Sequence, residues 1–176
     1  LVIGVFICMP FVRRRIQDNM NSNYTEELDI PNVINENFRT GENIIYDSEV
    51  ENDLRDVLGS GVVDIKATLG EETDEMYREN GMDIYTFGMI TVAVNQEEVI
   101  QDILIDYTVG ENKKEYGIYG IAGISDADAV KTILGTPDQE YEKELCYRFD
   151  REFGLGLNIN FSDDGMVEQL EYYYVQ

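Results

Sequence analysis

The sequence predicts an α+β fold built from two tandem repeats, each with a short helix, or helix pair, packed on a three-stranded antiparallel sheet. One observation is a helical segment ending in Leu-Gly that occurs twice, at Leu69-Gly70 and Leu134-Gly135. Another is that three runs of alternating apolar and polar residues follow each of these segments, and period-two alternation is typical of half-buried strands. Whether the two sheets join into one continuous curved sheet is left open.

The first 16 residues are predicted to be a partial transmembrane segment. Leu1 to Val12 carries no charge, and Arg13, Arg14 and Arg15 follow it. A spanning helix needs about 20 apolar residues, so the run matches only the C-terminal part of such a helix. This interpretation expects further sequence upstream. A signal peptide and a buried core helix are the alternatives.

Residues 17–43 are rich in Asn, Asp and Glu, and we expect them to be an acidic, Asn-rich tether. Repeat 1 is assigned to residues 44–110 and repeat 2 to residues 111–176. These boundaries follow from the repeated order of helix, Leu-Gly and three strands. Chance alternation in two strand-rich stretches is the alternative, and it explains that shared order less well.

In repeat 1, Val62, Ile65 and Leu69 form one apolar stripe of a helix. An additional helix is predicted before it, because Val50, Leu54, Val57 and Leu58 share a helical face and Gly59 would end it. The predicted strands of repeat 1 are marked by Tyr85 and Phe87, then Ile90, Val92 and Val94, then Ile103, Ile105 and Tyr107.

In repeat 2, the helix is predicted to begin at Ser125, with Asp128 three residues on in a capping-box pattern. The turn Ser162–Gly165 contains Asp-Asp-Gly and is expected to reverse the chain between two strands. The strands of repeat 2 match those of repeat 1 in order, at Tyr147 and Phe149, then Leu157, Ile159 and Phe161, then Leu170, Tyr172 and Tyr174.

The sheet face opposite the helices is the predicted protein-binding face, because polar residues alternate there with the apolar ones. In repeat 2 this candidate face carries Arg148, Asn158, Asn160, Gln169, Glu171 and Tyr173. In repeat 1 it carries Thr86, Thr91, Ala93, Asn95, Asp106 and Thr108. Tyr173 and Arg148 are the candidate anchors, since tyrosine and arginine often dominate interfaces. A solvated sheet face without a partner is the alternative.

The chain is strongly acidic, with 36 Asp and Glu against 13 Lys and Arg and a net charge of -23. A nucleic-acid-binding surface needs clustered basic residues, so nucleic acid is not an expected partner. The charge favours either simple solubility or attraction of a protein with a basic surface. We expect the membrane to be contacted only through the N-terminal apolar segment.

No cofactor, metal site or catalytic residue is predicted. The chain has no histidine and only two cysteines, Cys8 and Cys146, so zinc sites built on histidine or clustered cysteine are excluded. The two cysteines lie in different regions, and we expect no disulfide between them. Cys146 lacks a histidine partner as a nucleophile. Carboxylates remain, so a carboxylate-dependent hydrolase is an alternative to a non-enzyme.

The stretch GIAGISDADAVKTILGTPD, residues 120–138, resembles the opening motif of the SmpA/OmlA-type outer-membrane assembly lipoproteins. The stretch LNINFSDDGMVEQLEYY, residues 157–173, resembles that family's closing hairpin. The tandem arrangement is similar to that of β-lactamase inhibitory protein, and the resemblance covers roughly residues 49–176. The chain departs from the pattern in lacking a lipobox and, in repeat 1, the proline after Leu-Gly.

The resemblance implies a secreted or membrane-tethered protein that is not an enzyme and acts by binding other proteins. We therefore expect a membrane-anchored module of the bacterial cell envelope whose folded part is extracytoplasmic. The arginines after the apolar run leave the cytoplasmic side open. The alternative is a structural or sensor segment of a larger membrane protein whose functional part lies upstream.

Overall fold

The computed structural model describes residues 49–150 and 154–174. The predicted transmembrane segment and tether lie outside the described residues, as does Cys8. In chain order the elements are β1 (Asn52–Asp53), α1 (Val62–Leu69), β2 (Tyr77–Glu79), β3 (Met82–Phe87), β4 (Ile90–Val94), β5 (Ile100–Asp106), β6 (Tyr116–Gly117), α2 (Ala127–Leu134), β7 (Gln139–Tyr141), β8 (Glu144–Asp150), β9 (Leu155–Phe161) and β10 (Val167–Tyr174). No helix in this part of the chain is long and apolar enough to cross a bilayer.

Eight strands form one sheet in the order β2-β3-β4-β5-β10-β9-β8-β7, and all neighbouring pairs are antiparallel. Two short helices accompany this sheet, so the predicted α+β class is confirmed. Each helix is followed by four strands of the sheet, where the sequence predicted three. The strands that were missed, β2 and β7, lie at the two edges and are only three residues long.

The helices end in the same way but begin differently. Gly70 and Gly135 end them with φ of 89° and 80°, a conformation that favours glycine. Asp126, and not the predicted Ser125, caps α2, because its carboxylate accepts a hydrogen bond from the Ala129 N–H at 2.8 Å. The Ser125 hydroxyl instead accepts from the Ala122 N–H at 3.2 Å, which holds the loop before the helix.

One hydrophobic core joins both helices to a single face of the sheet. Ile65 of α1 and Val130 of α2 are completely buried in it. The central strands contribute alternate residues to the same core, among them Ile90, Val92, Ile103, Ile105, Leu157, Ile159 and Leu170. Because strand side chains alternate between faces, the residues between these apolar ones point to the opposite side.

The helix predicted before repeat 1 is wrong. Asn52 and Asp53 form the short strand β1, which pairs in parallel with β6, and turns follow. The Asp53 carboxylate accepts hydrogen bonds from the Arg55 N–H at 3.0 Å and the Gly120 N–H at 2.9 Å. Leu54 is buried as its apolar character requires, but long-range pairing has overridden the helical pattern.

Candidate binding face

The strand register brings most of the predicted face residues, together with residues that were not predicted, into three rows that cross the strands of the sheet. We call these rows, together, the polar face. The first row is Glu144, Asn160, Gln169 and Asp106. The second row is Cys146, Asn158, Glu171, Leu104 and Thr91. The third row is Arg148, Gly156, Tyr173, Asp102 and Ala93.

A hydrogen-bonded chain links the second and third rows. The Tyr173 hydroxyl donates to Asn158 Oδ1 at 3.3 Å, and Asn158 Nδ2 donates to Glu171 Oε2 at 3.1 Å. All three residues are buried, with Glu171 only 2% exposed. The Asn158 amide therefore holds the Tyr173 phenol and the Glu171 carboxylate in fixed positions. Side chains that are already ordered lose less conformational entropy when a partner binds.

Gly156 determines where Tyr173 lies. A Cβ atom at this position would come within 2.6 Å of both Cζ and Oη of Tyr173, so the phenol ring occupies space that any other residue would fill. Such cover of a strand glycine by an aromatic ring compensates for the missing side chain. The ring therefore leans across β9 in the direction of Arg148.

The first row is organised around amide side chains. Gln169 Nε2 donates to Asp106 Oδ2 at 3.1 Å. The other oxygen of Asp106 accepts from the Thr108 N–H at 2.9 Å and from the Thr108 hydroxyl at 2.6 Å. Asn160 Nδ2 is buried, and no acceptor within the part of the chain that the structure describes lies within hydrogen-bonding distance of it.

The predicted site residues differ in exposure. Arg148 is exposed, Asn160 and Gln169 are half-buried, and Asn158, Glu171 and Tyr173 are buried. Of the repeat 1 residues, Asn95 has a local role, since its Oδ1 accepts from the Glu97 and Val99 N–H groups at 3.0 Å and shapes the turn before β5.

Asp102 and Leu104 belong to the polar face and were not predicted. Asp102 lies opposite Tyr173, and Leu104 opposite Glu171, both across the β5–β10 pair at the centre of the sheet. Their signal in the sequence is alternation with the buried Ile103 and Ile105. Recognising their position required the strand pairing, because β5 could have lain at an edge.

A cavity of about 360 Å³ lies at one end of the sheet, beside the turn between β9 and β10. It is lined by Tyr107, Thr108, Lys113, Ser162, Asp163, Asp164, Val167 and Glu168. The Lys143 ammonium hydrogen-bonds to Asp163 and lowers the pKa of that carboxyl, and the Ser162 hydroxyl does the same for Asp164. These contacts stabilise the turn, and in the described residues no three potential metal ligands converge.

On the helix side, Tyr119 and Tyr172 join the loop before α2 to the centre of the sheet. Their hydroxyls are 2.9 Å apart, the rings meet edge to face at 5.7 Å, and burial raises the pKa of both phenols. Tyr119 has φ of 53° in a tight turn closed by two hydrogen bonds between Ile118 and Ile121. Its ring contacts offset the cost of that left-handed conformation.

No protein-family model matches the chain, and no curated protein matches it in sequence. Solved structures with a related arrangement include the DUF4309 family protein YjgB of Bacillus subtilis, at 18% identity over 66% of this chain and 79% of that one, with a TM-score of 0.43. An extracellular SCP-domain protein of Bacillus anthracis has 9% identity over 70% of this chain, with a TM-score of 0.49. A cysteine-rich secretory protein of Staphylococcus aureus has 11% identity over 70% of this chain, with a TM-score of 0.42.

This chain spans 46% and 48% of the length of the last two proteins. All three TM-scores lie below 0.5, so none of these proteins informs the function of this chain.

Proposed function

We propose that this chain is a non-catalytic module that binds another protein through the polar face. In this proposal the N-terminal apolar segment tethers the module to a membrane of the bacterial cell envelope, with the folded part extracytoplasmic. The observation that carries the proposal is the division of the sheet. Both helices join the hydrophobic core on one face, and the opposite face carries three rows rich in amide, carboxylate and phenol groups, of which Arg148 is exposed and Asn160 and Gln169 are half-buried.

The chemistry of these rows favours a protein partner. Asparagine, glutamine and tyrosine side chains both donate and accept hydrogen bonds, which suits the mixed polarity of a protein surface. Tyr173 and Arg148 lie in the same row, with only Gly156 between them. Tyrosine and arginine are among the residue types most enriched at the positions that dominate interface energies.

We further propose that the two halves are tandem repeats of one unit. The proposal is supported by the strand register, because residues at matching positions of the two predicted repeats pair in the same way. Ile90 pairs with Ile105 in the first half, and their counterparts Leu157 and Tyr172 pair in the second. The residues that precede the helices, Gly61 before α1 and Asp126 before α2, differ in capping chemistry but occupy corresponding positions, because Gly61 forms an antiparallel bridge with Val99 and Asp126 forms one with Met166.

The pairing between the halves is consistent with a two-fold relation. Ile103 lies opposite Tyr172, the counterpart of Ile105, and Ile105 lies opposite Leu170, the counterpart of Ile103. The equivalent residues Leu104 and Glu171 therefore face each other on the axis. In this arrangement the two units form one surface, and the amide-rich part of it belongs to the second unit.

The proposed function is tested by affinity capture from envelope and cytosol fractions of the source cells, with the full chain as bait. Arg148→Ala removes an exposed side chain from the polar face, and Tyr173→Phe removes only the hydroxyl bonded to Asn158. Val63→Ala is the matched control, because Val63 is 72% exposed on α1. We expect one protein to be retained by the wild-type and control baits and lost with the two face variants. Equal retention by all four baits would contradict the proposal.

A further inference from the structure

We propose that Asn80, in the hairpin between β2 and β3, is a site of self-modification, at which the side-chain amide is lost by cyclisation onto the following backbone nitrogen and then by reaction with water. The product is an aspartate or an isoaspartate at the tip of this hairpin. Local opening of the hairpin sets the rate. The inference concerns an edge of the sheet in the first half and does not depend on what the polar face binds.

Asn80-Gly81 is the only Asn-Gly pair in the sequence, and both residues are exposed. Glycine leaves the attacking nitrogen unshielded: around a Cβ atom built on Gly81, no atom of the described residues beyond its chain neighbours lies within 4 Å. Asn95 and Asn112 differ in both respects, because each precedes a residue with a long side chain and has its own side chain held in hydrogen bonds. Asn80 is therefore the asparagine at which cyclisation is least obstructed.

The reaction consumes one water and releases one ammonia. Hydroxide removes the Gly81 amide proton, and the Gly81 nitrogen forms a bond to Asn80 Cγ. The bond from Cγ to the side-chain nitrogen breaks, and this nitrogen takes a proton from water and leaves as ammonia, which restores the hydroxide. Water then hydrolyses the five-membered cyclic imide: cleavage at Cγ gives aspartate, and cleavage at the main-chain carbonyl carbon gives isoaspartate, in which the chain continues through Cβ. Such chemistry makes asparagine a thermolabile residue.

The closed turn opposes ring closure. Asn80 and Gly81 have φ of 51° and 82°, and Asn-Gly is a preferred pair for two-residue hairpin turns that need a positive φ at both positions. Ring closure requires rotation about the Cα–C bond of Asn80, which the pairing of Glu79 with Met82 prevents while the hairpin is closed. The reaction therefore proceeds through an opened hairpin, and its rate is the rate in a free chain multiplied by the fraction of time that the hairpin is open.

This hairpin opens more readily than the central strands. β2 is three residues long and lies at the edge of the eight-stranded sheet, and its residues Tyr77 and Arg78 are exposed. Segments with little burial open locally at a small fraction of the free energy of global unfolding. Arg78 opposes the opening, because its Nε and Nη2 atoms donate to the two carboxylate oxygens of Asp83 at 2.7 and 2.9 Å across the strand pair.

Asp164-Gly165, in the turn between β9 and β10, is a chemically similar pair that the structure protects. Cyclisation of an aspartyl residue needs the protonated carboxyl, because a carboxylate is a poor electrophile. The Ser162 hydroxyl hydrogen-bonds to the Asp164 carboxylate and lowers the pKa of that group, so the group stays ionised. The amide of Asn80 is neutral and has no comparable protection, so the modification is assigned to the first of these two turns.

The test follows the full chain during incubation in mildly alkaline buffer made with water labelled with heavy oxygen. Mass spectrometry of proteolytic peptides measures the conversion of amide to acid at each asparagine and the label that hydrolysis introduces. We expect Asn80 to convert about tenfold faster than Asn95 or Asn112, with a single labelled oxygen in the aspartate and the isoaspartate products alike. Conversion of Asn80 no faster than that of these two residues would overturn the proposal.

Arg78→Ala tests the dependence on hairpin opening. It removes the ion pair with Asp83, and we expect Asn80 to convert about two- to fivefold faster, which is the effect of losing a surface ion pair. Lys131→Ala makes the same change of charge and removes an ion pair with Glu140 in the second half, so its conversion rate should match that of the wild type. Equal rates in the two variants, or equal rates in the folded wild type and in the chain unfolded by urea, would overturn the control of the reaction by the hairpin.

Discussion

Tyr173 and Gly156 are spatially interdependent, because the phenol ring lies 2.6 Å from where a Cβ atom of residue 156 would be. Gly156→Ala must therefore displace the ring from its place across β9. We expect this change to lower the free energy of unfolding by about 1–3 kcal/mol, the usual cost of overpacking. Denaturant unfolding followed by circular dichroism measures it.

A double-mutant cycle isolates that contact. In a Tyr173→Ala background no ring obstructs the new methyl group, so Gly156→Ala should then cost less than about 0.5 kcal/mol. The same cost in both backgrounds would mean that the alanine disturbs the strand for another reason. The cycle also measures how much Tyr173 contributes to the free energy of unfolding. This value shows whether a Tyr173 variant used in a binding experiment is still folded.

Glu98, in the turn between β4 and β5, and Gly165, in the turn between β9 and β10, occupy corresponding positions. Both residues have a positive φ, 62° for Glu98 and 81° for Gly165. Only glycine adopts this conformation freely. We expect Glu98→Gly to raise the free energy of unfolding by about 0.5–1 kcal/mol. Glu97→Gly, which places glycine at the adjacent turn residue, should lower it, and a loss in both variants would contradict this account.

The cap of α2 supplies a third prediction. The carboxylate of Asp126 accepts from the Ala129 N–H, so Asp126→Ala should lower the free energy of unfolding by about 1 kcal/mol. Asp128→Ala makes the same charge change within the first turn of the helix without removing the cap. The midpoint of thermal unfolding should therefore fall further for Asp126→Ala than for Asp128→Ala. An equal fall in both variants would indicate that the effect of Asp126 is purely electrostatic.

Burial raises the pKa of Tyr107, Tyr147 and Tyr172, three of the 12 tyrosines in the chain. Because their pKa values in the folded protein exceed the unfolded value of about 10, their stabilising contribution is complete below that pH and is lost as the pH rises. Phenolate absorbance at 295 nm should therefore show a late phase that coincides with loss of the far-ultraviolet dichroism. Complete ionisation with the fold intact would contradict the assigned burial.

The central strands could be predicted from the sequence because their alternation is strong and their turns carry clear signals. Leu157, Ile159 and Leu170 lie in the core as expected, and the turn ending at Gly165 reverses the chain. The edge strands β2 and β7 escaped prediction because they are short and largely exposed, so no apolar residue marks an inward face.

The composition of the polar face could be predicted from the sequence, but the contacts between its residues could not. Alternation places Asn158 and Glu171 on one face, but only the register of β9 against β10 sets them opposite each other. The bond between Asn158 and Glu171 follows from that register. Register depends on turn geometry and packing across strands, which local sequence specifies weakly.

Site-specific photo-crosslinking in the source cells tests the central claim, that the polar face binds a protein, most directly. A photoreactive residue replaces Arg148 on the polar face or, as the control, the exposed Val63 on α1. We predict one discrete crosslinked protein from position 148, absent from position 63 and diminished by Tyr173→Phe. The same products from both positions, or none from position 148, would contradict the claim that this face is the binding site.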